Sequence, residues 1–209
     1  YLDAIAAAKG EIIIANAYVL PGRHFRREQF AAAARCVQVS ILLQGKVEYR
    51  LQHYATQALY GALLNAGIRI FEYQRSFLHA KVAVVDRCWS TVGSSNIDPC
   101  SLLLAKEANV VVRDAGFAAD LEGSLRGVLA ADTLELRKED WRHLSWHSRL
   151  LRWTCYQLVR LAIGIAGYGD MDLAAQLYPP LTTVRVNRYE MGRRAVRVLL
   201  AKLGGNQKI

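Results

Sequence analysis

Three apolar, β-branched runs separated by two helical stretches constrain this chain more than any other feature. Glu11–Leu20, EIIIANAYVL, is the first run and is ended by Pro21-Gly22. Val37–Gln44, VQVSILLQ, is the second and is closed by Gly45; Ile68–Tyr73, IRIFEY, is the third. Between them Arg26–Arg35 is helical in character, and His53–Ala66 carries helical spacing up to Gly67. The order β-α-β-α-β predicts a parallel sheet. The pattern then changes. Lys81–Asp86, Trp89–Gly93 and Ala108–Arg113 read as short strands added antiparallel to the same sheet, with Ala115–Ala130 as a closing helix. The predicted fold class is α/β, a mixed sheet flanked by helices.

With 209 residues, a hydrophobic fraction of 53% and only four prolines, the chain can bury a real core and is not a disordered protein. Lys and Arg number 27 against 18 Asp and Glu, a formal charge of +9. Such an excess favours a polyanionic partner, and charge alone leaves nucleic acid and an anionic membrane surface both open. The cysteines, Cys36, Cys88, Cys100 and Cys155, form no C-x-x-C pair and read as reduced thiols in a cytosol-facing protein. No signal peptide is evident, nor an apolar run of the ~20 residues that a membrane span needs. The chain begins at Tyr1 in what reads as mid-domain, so an N-terminal truncation is expected.

Beyond Asp132 the composition shifts. LRKEDWRHLSWHSRLLRWTCYQLVRLAIGIAGY sets Trp141, Trp146 and Trp153 among five arginines and then becomes apolar. A basic, Trp-bearing helix suits the membrane interface; the competing reading packs the tryptophans on the domain with the basic residues in water. A third zone follows, in which Pro179-Pro180 precedes a strand-like LTTVRV and a helix from about Tyr189. The predicted organisation is a catalytic half-domain over 1–131, a basic Trp-rich amphipathic helical segment over 132–167, and an extension over 168–209.

The chemistry concentrates in Ser76–Asp98, SFLHAKVAVVDRCWSTVGSSNID. Its order is His79-x-Lys81-x4-Asp86, then Gly93-Ser94-x-Asn96, with a carboxylate further on at Glu107. Residues two apart on a strand share a face, so His79 and Lys81 project together while Ala80 faces the other way. An imidazole is a nucleophile at neutral pH once its tautomer is held, and Glu107 can hold it. Lys81 supplies positive charge for phosphate oxygens, and Ser94 and Asn96 add donors. Asp86 reads as a structural or lysine-orienting group. Taken singly, a His beside a Lys is surface decoration and Gly-Ser-Ser-Asn is a turn; the joint pattern at fixed offsets favours attack by His79 on a phosphodiester. No metal or cofactor is called for.

These residues closely resemble the HxKxxxxD…GSxN motif of the phospholipase D superfamily. Ile5–Tyr168 is similar to the C-terminal half of bacterial cardiolipin synthases of the B type, through ANAYVLPG, LLQGKVEYRLQHYATQALYGALLNAG, FLHAKVAVVD and VGSSNIDPCSLLLAKEANVVV. The resemblance implies a metal-independent phosphatidyl transfer between two phosphatidylglycerols with release of glycerol. It puts the reacting imidazole at His79, the phosphate clamp at Lys81, Ser94 and Asn96, and the histidine orienter at Glu107. It also implies a peripheral place on the cytoplasmic side of a bacterial inner membrane, which gives the positive charge and the Trp-Arg segment a purpose.

Two departures matter. That family joins two such motifs at a single site, whereas this chain has one, and none of His24, His53, His143 or His147 has a lysine two residues on. The second half is therefore expected either from a longer protein that contains this chain or from a homodimer, as in single-motif nucleases of the superfamily. Residues 168–209 instead resemble the C-terminal end of a LacI-type repressor effector domain, from which no DNA- or ligand-binding residue carries over. The alternative function is a phosphodiesterase or nuclease that passes the phosphoryl group to water, with nucleic acid as partner. A third is an inert binding module.

Overall fold

A computed structural model describes residues 1–98, 101 and 107–165. Residues 1–165 form one compact unit. The first strand, β1 (Glu11–Asn16), pairs parallel with β2 (Gln38–Gln44), which pairs parallel with β3 (Arg69–Tyr73). On the other side of β1 lies β4 (Lys81–Val85), antiparallel, followed outward by β5 (Trp89–Gly93) and β6 (Asn109–Val112). The predicted parallel core with antiparallel additions is borne out. β7 (Thr133–Glu135) was not foreseen; it pairs antiparallel with β3 and completes the order β6-β5-β4-β1-β2-β3-β7.

Alternation along β1 builds two cores. Ile12 and Ile14 enter a cluster with Ile41, Leu43, Leu59 and Leu63, while Ile13 and Ala15 enter a second with Leu42, Phe71 and Leu125. The first cluster lies beneath α1 (Leu2–Ala7), α2 (Arg23–Ala34) and α3 (Arg50–Asn65); the second lies beneath α4 (Ala115–Ala131). Each fully buried isoleucine contributes about 1.5–3 kcal/mol. A short α5 (Lys138–Arg142) leads to α6 (Trp146–Ile165), which packs along α3 and buries Cys155.

β1 stops at Asn16 rather than running to Leu20 as its apolar sequence suggested. Val19 leaves the ladder to bridge Ile97, and the Leu20 amide donates to the Ile97 carbonyl at 2.9 Å. Residues 132–165 are not set apart from the sheet domain either, because β7 joins the sheet and α6 covers α3. Within that stretch the tryptophans divide. Trp141 packs on Tyr60 with ring centroids 5.0 Å apart, whereas Trp146 and Trp153 stand exposed. The extension over 168–209 lies outside the described residues.

Candidate active site

The carboxyl ends of β1 and β2 open into a pocket of about 560 Å³. In open α/β sheets that edge is where ligands bind. His79, Lys81 and Asn96 line it together with Tyr18, Glu48 and Tyr49. Three of the six residues singled out in the sequence thus meet in one place.

His79 is delivered by the loop between β3 and β4. Gln44, buried at the end of β2, holds that loop: its Oε1 accepts from the Leu78 amide, and its Nε2 donates to the Lys46 carbonyl at 3.0 Å. The imidazole is exposed at the pocket, while Lys81, the first residue of β4, is buried. Lys81 Nζ donates to the His79 carbonyl at 3.3 Å. Burial pulls the ammonium below the ordinary lysine range, against the opposing charges of Glu107 and Glu48. A buried cation beside an exposed imidazole is suited to receive a phosphate oxygen.

Asn96 arrives from the far side. Gly93 ends β5 so close to the next strand that an added Cβ would lie 2.5 Å from the Ala108 carbonyl oxygen, so glycine alone fits. Ser94 then locks the turn: its amide donates to the Ala108 carbonyl at 3.0 Å and its Oγ accepts from the Ala108 amide at 3.1 Å. Asn96 follows, and its Oδ1 is buried without a protein partner.

The remaining three sequence candidates lie off the pocket lining. Ser94 is occupied by Ala108, as described. Glu107 acts on Lys81 through its charge. Asp86 caps the opposite end of β4, where its carboxylate accepts from the amides of Lys9 at 2.8 Å, Gly10 at 2.8 Å and Glu11 at 2.9 Å. Asp86 and Arg87 both hold positive φ in the β4–β5 turn, a conformation aspartate tolerates. All three of these partners are backbone amides at or just before the start of β1.

Sequence reasoning missed Asn16. It stands opposite Lys81 in the β1–β4 ladder, is fully buried, and has neither amide atom bonded to protein. The signal was one polar residue at the end of an isoleucine run. Tyr18, Glu48 and Tyr49 were also missed, with the Tyr18 hydroxyl 3.5 Å from Glu48 Oε2.

A sequence model described as "Cardiolipin synthase, PLD-like domain" matches residues 1–128. The chain belongs to that family. Among curated members it is 41% identical over 150 residues to cardiolipin synthase B of Escherichia coli strain K12, covering 69% of this chain and 36% of that protein. It is 32% identical over 155 residues to cardiolipin synthase A of Proteus mirabilis strain HI4320, covering 74% of this chain and 32% of that one. The chain therefore spans about a third of the length of the curated cardiolipin synthases it matches. Residues 162–209 match a second model, "Periplasmic binding protein-like domain".

Solved structures share the PLD-like fold at low identity. Nuc of Salmonella typhimurium, a phospholipase D family member, superposes with a TM-score of 0.56 at 23% identity, over 65% of this chain and 88% of that one. Phosphatidylserine synthase of Haemophilus influenzae Rd KW20 gives 0.61 at 11%, over 77% of this chain and 41% of that one. One unit of this fold accounts for most of the first chain and less than half of the second.

Proposed function

We propose that this chain is one half of a phosphatidyltransferase of cardiolipin synthase type. The observation that carries the reading is the convergence of His79, Lys81 and Asn96 on one pocket at the carboxyl end of β1. His79 attacks the phosphorus of a phosphatidylglycerol, forming a P–N bond as the P–O bond to the glycerol breaks. The proton for the leaving glycerol oxygen comes from a general acid in a second His-x-Lys-x4-Asp half. A hydroxyl of another phosphatidylglycerol then attacks the phosphorus, the P–N bond breaks, and that hydroxyl's proton returns to the base left on the second half. Lys81 and Asn96 bind the phosphate oxygens, Ser94 shapes the turn that presents Asn96, and Glu107 orients His79.

The second half comes from a longer protein or a second copy. Coverage of 36% of cardiolipin synthase B and 41% of phosphatidylserine synthase supports the first arrangement. Coverage of 88% of Nuc supports the second, and with it a homodimeric phosphodiesterase that uses water as acceptor. The enzyme works on anionic lipid at a membrane surface, peripherally on the cytoplasmic side of the bacterial inner membrane. Among the described residues no helix is long and apolar enough to cross a membrane. Residues 1–165 serve as the catalytic half and 168–209 as an extension.

Phosphatidylglycerol labelled in its phosphate, presented in mixed micelles, tests the assignment. Cardiolipin as product supports phosphatidyl transfer. Phosphatidic acid alone, or cleavage of supplied DNA instead, overturns it in favour of hydrolysis.

A further inference from the structure

A second cavity, of about 590 Å³, lies between α3 and α6, away from His79. Its cations are Lys138, Arg149 and Arg152, its aromatic walls are Trp141, Trp153 and Tyr156, and no carboxylate is among its described lining residues. Arg152 is held in place: its Nε donates to Gln57 Oε1 at 3.0 Å, one Nη donates to the Ser148 carbonyl at 3.0 Å, and the guanidinium lies 5.2 Å from the Trp141 ring centre. The carboxylate that bears on it, Glu72, receives the Tyr60 hydroxyl at 3.2 Å and is pushed toward its neutral form by burial. Gly61 makes room for this wall, since a Cβ there would touch Trp141 at 3.3 Å.

The outer face of α6 supplies an independent observation. Trp146, Leu150, Leu151, Trp153, Leu158 and Leu161 are all exposed on that one helix. Trp153 belongs both to this apolar face and to the cationic cavity. Positive charge, then aromatic rings, then aliphatic surface is the order in which a phospholipid presents phosphate, glycerol ester and acyl chain.

We propose that the α3–α6 groove is a second binding site, distinct from the catalytic pocket, for the headgroup of an anionic phospholipid in a bilayer. Lys138 and Arg152 take the phosphate, and α6 settles into the interface with its tryptophans among the lipid esters. The proposal rests on the membrane reading above and adds where the surface is held. Helix α3 places the site within reach of the reaction, because Leu51 and Gln52 line the catalytic pocket and Gln57 lines the groove on the same helix. The separation along the helix axis is roughly 7.5–9 Å at ~1.5 Å per residue.

The test is binding of the full chain to phosphatidylcholine vesicles with and without phosphatidylglycerol, followed by co-sedimentation. The expected result is binding that requires phosphatidylglycerol. Lys138→Gln should weaken it about fivefold, as for one charge near an anionic surface, and Lys138→Gln with Trp153→Ser should weaken it more than tenfold. Both positions leave the Arg152 anchor intact, and a matching circular dichroism spectrum shows that the variants fold. Unchanged binding in the double variant overturns the site. If Lys81→Met alone abolishes binding, lipid enters only the catalytic pocket, and the groove site falls while the transferase reading stands. If Trp153→Ser instead dissociates a chain dimer with vesicle binding unaltered, the face is a protein interface. Competition by glycerol phosphate in solution as strong as that by vesicles would make it a free-phosphate site and overturn the membrane role.

Discussion

Asn16 and Lys81 face each other across the β1–β4 ladder, both buried, and the asparagine amide bonds to no protein atom. An amide left unpaired inside a protein costs about 1–3 kcal/mol. Such a cost persists where the group serves a ligand or an ordered water. Replacing Asn16 by leucine, close in volume, should raise stability by about 1 kcal/mol while lowering lipid turnover. Urea unfolding and the product assay together check this. A destabilised variant would mean that the amide is satisfied.

Lys81 gives a pH dependence with a definite sign. Its folded-state value lies below the ordinary 10.5 chiefly because of burial. Between the two values the unfolded chain holds more protons, so stability rises with pH across that window. Lys81→Met should therefore be more stable than the parent at neutral pH. Its advantage should shrink as pH climbs from the folded value toward 10.5. Unfolding curves that stay parallel across this range would contradict the shift.

At the other end of β4, burial works against ionisation of Asp86, and the three amides of Lys9, Glu11 and Gly10 outweigh it, so its carboxyl titrates below the ordinary value. The stability it confers is present above about pH 4 and is lost as pH falls through the folded value. Asp86→Asn keeps the positive-φ turn and removes the charge, at roughly 1.5–3 kcal/mol for a hydrogen bond to a charged group. Acid titration of unfolding should show a shallower slope below pH ~4 in the variant. A variant as stable as the parent would remove Asp86 from the structural role.

His53 predicts a loss of the same sign at milder acidity. Burial, then the charge of Arg152, lowers its value from the ordinary 6.5, and its Nε2 lies 2.9 Å from the Gln57 amide nitrogen. Below pH 6.5 the unfolded chain binds the proton first, so the folded state loses stability as pH falls toward the folded value. His53→Gln should remove this loss between neutral and mildly acidic pH, read from urea midpoints at both. Equal losses in parent and variant would contradict it.

The sheet was legible where burial on both faces forced continuous apolar sequence, as in Ile12–Ile14 and Ile41–Leu43. β7 was not, because Thr133–Glu135 leaves Leu134 exposed and is placed by long-range bonds. Arg69 pairs bidentately with Glu135 at 2.7 and 3.0 Å, and the Leu136 amide donates to the Ile70 carbonyl at 2.9 Å. At the candidate site, the expected strand alternation does not apply to His79, which lies in the loop before β4; it and Lys81 line one pocket from a loop and from a strand end. Asn96 was identified without its path, because the Val19–Ile97 bridge joins segments far apart in sequence. Glu48 and Tyr49 were hidden for the same reason: they reach the pocket just before α3.

The most direct test of His79 as the group that receives the phosphatidyl moiety is mass spectrometry of denaturant-quenched protein during turnover of phosphatidylglycerol. The longest natural protein that carries this sequence should be used. A phosphatidyl adduct on the peptide containing His79, absent from His79→Ala together with a loss of at least ~10²-fold in rate, is the predicted result. Turnover that continues in His79→Ala, or an adduct on another residue, would contradict it.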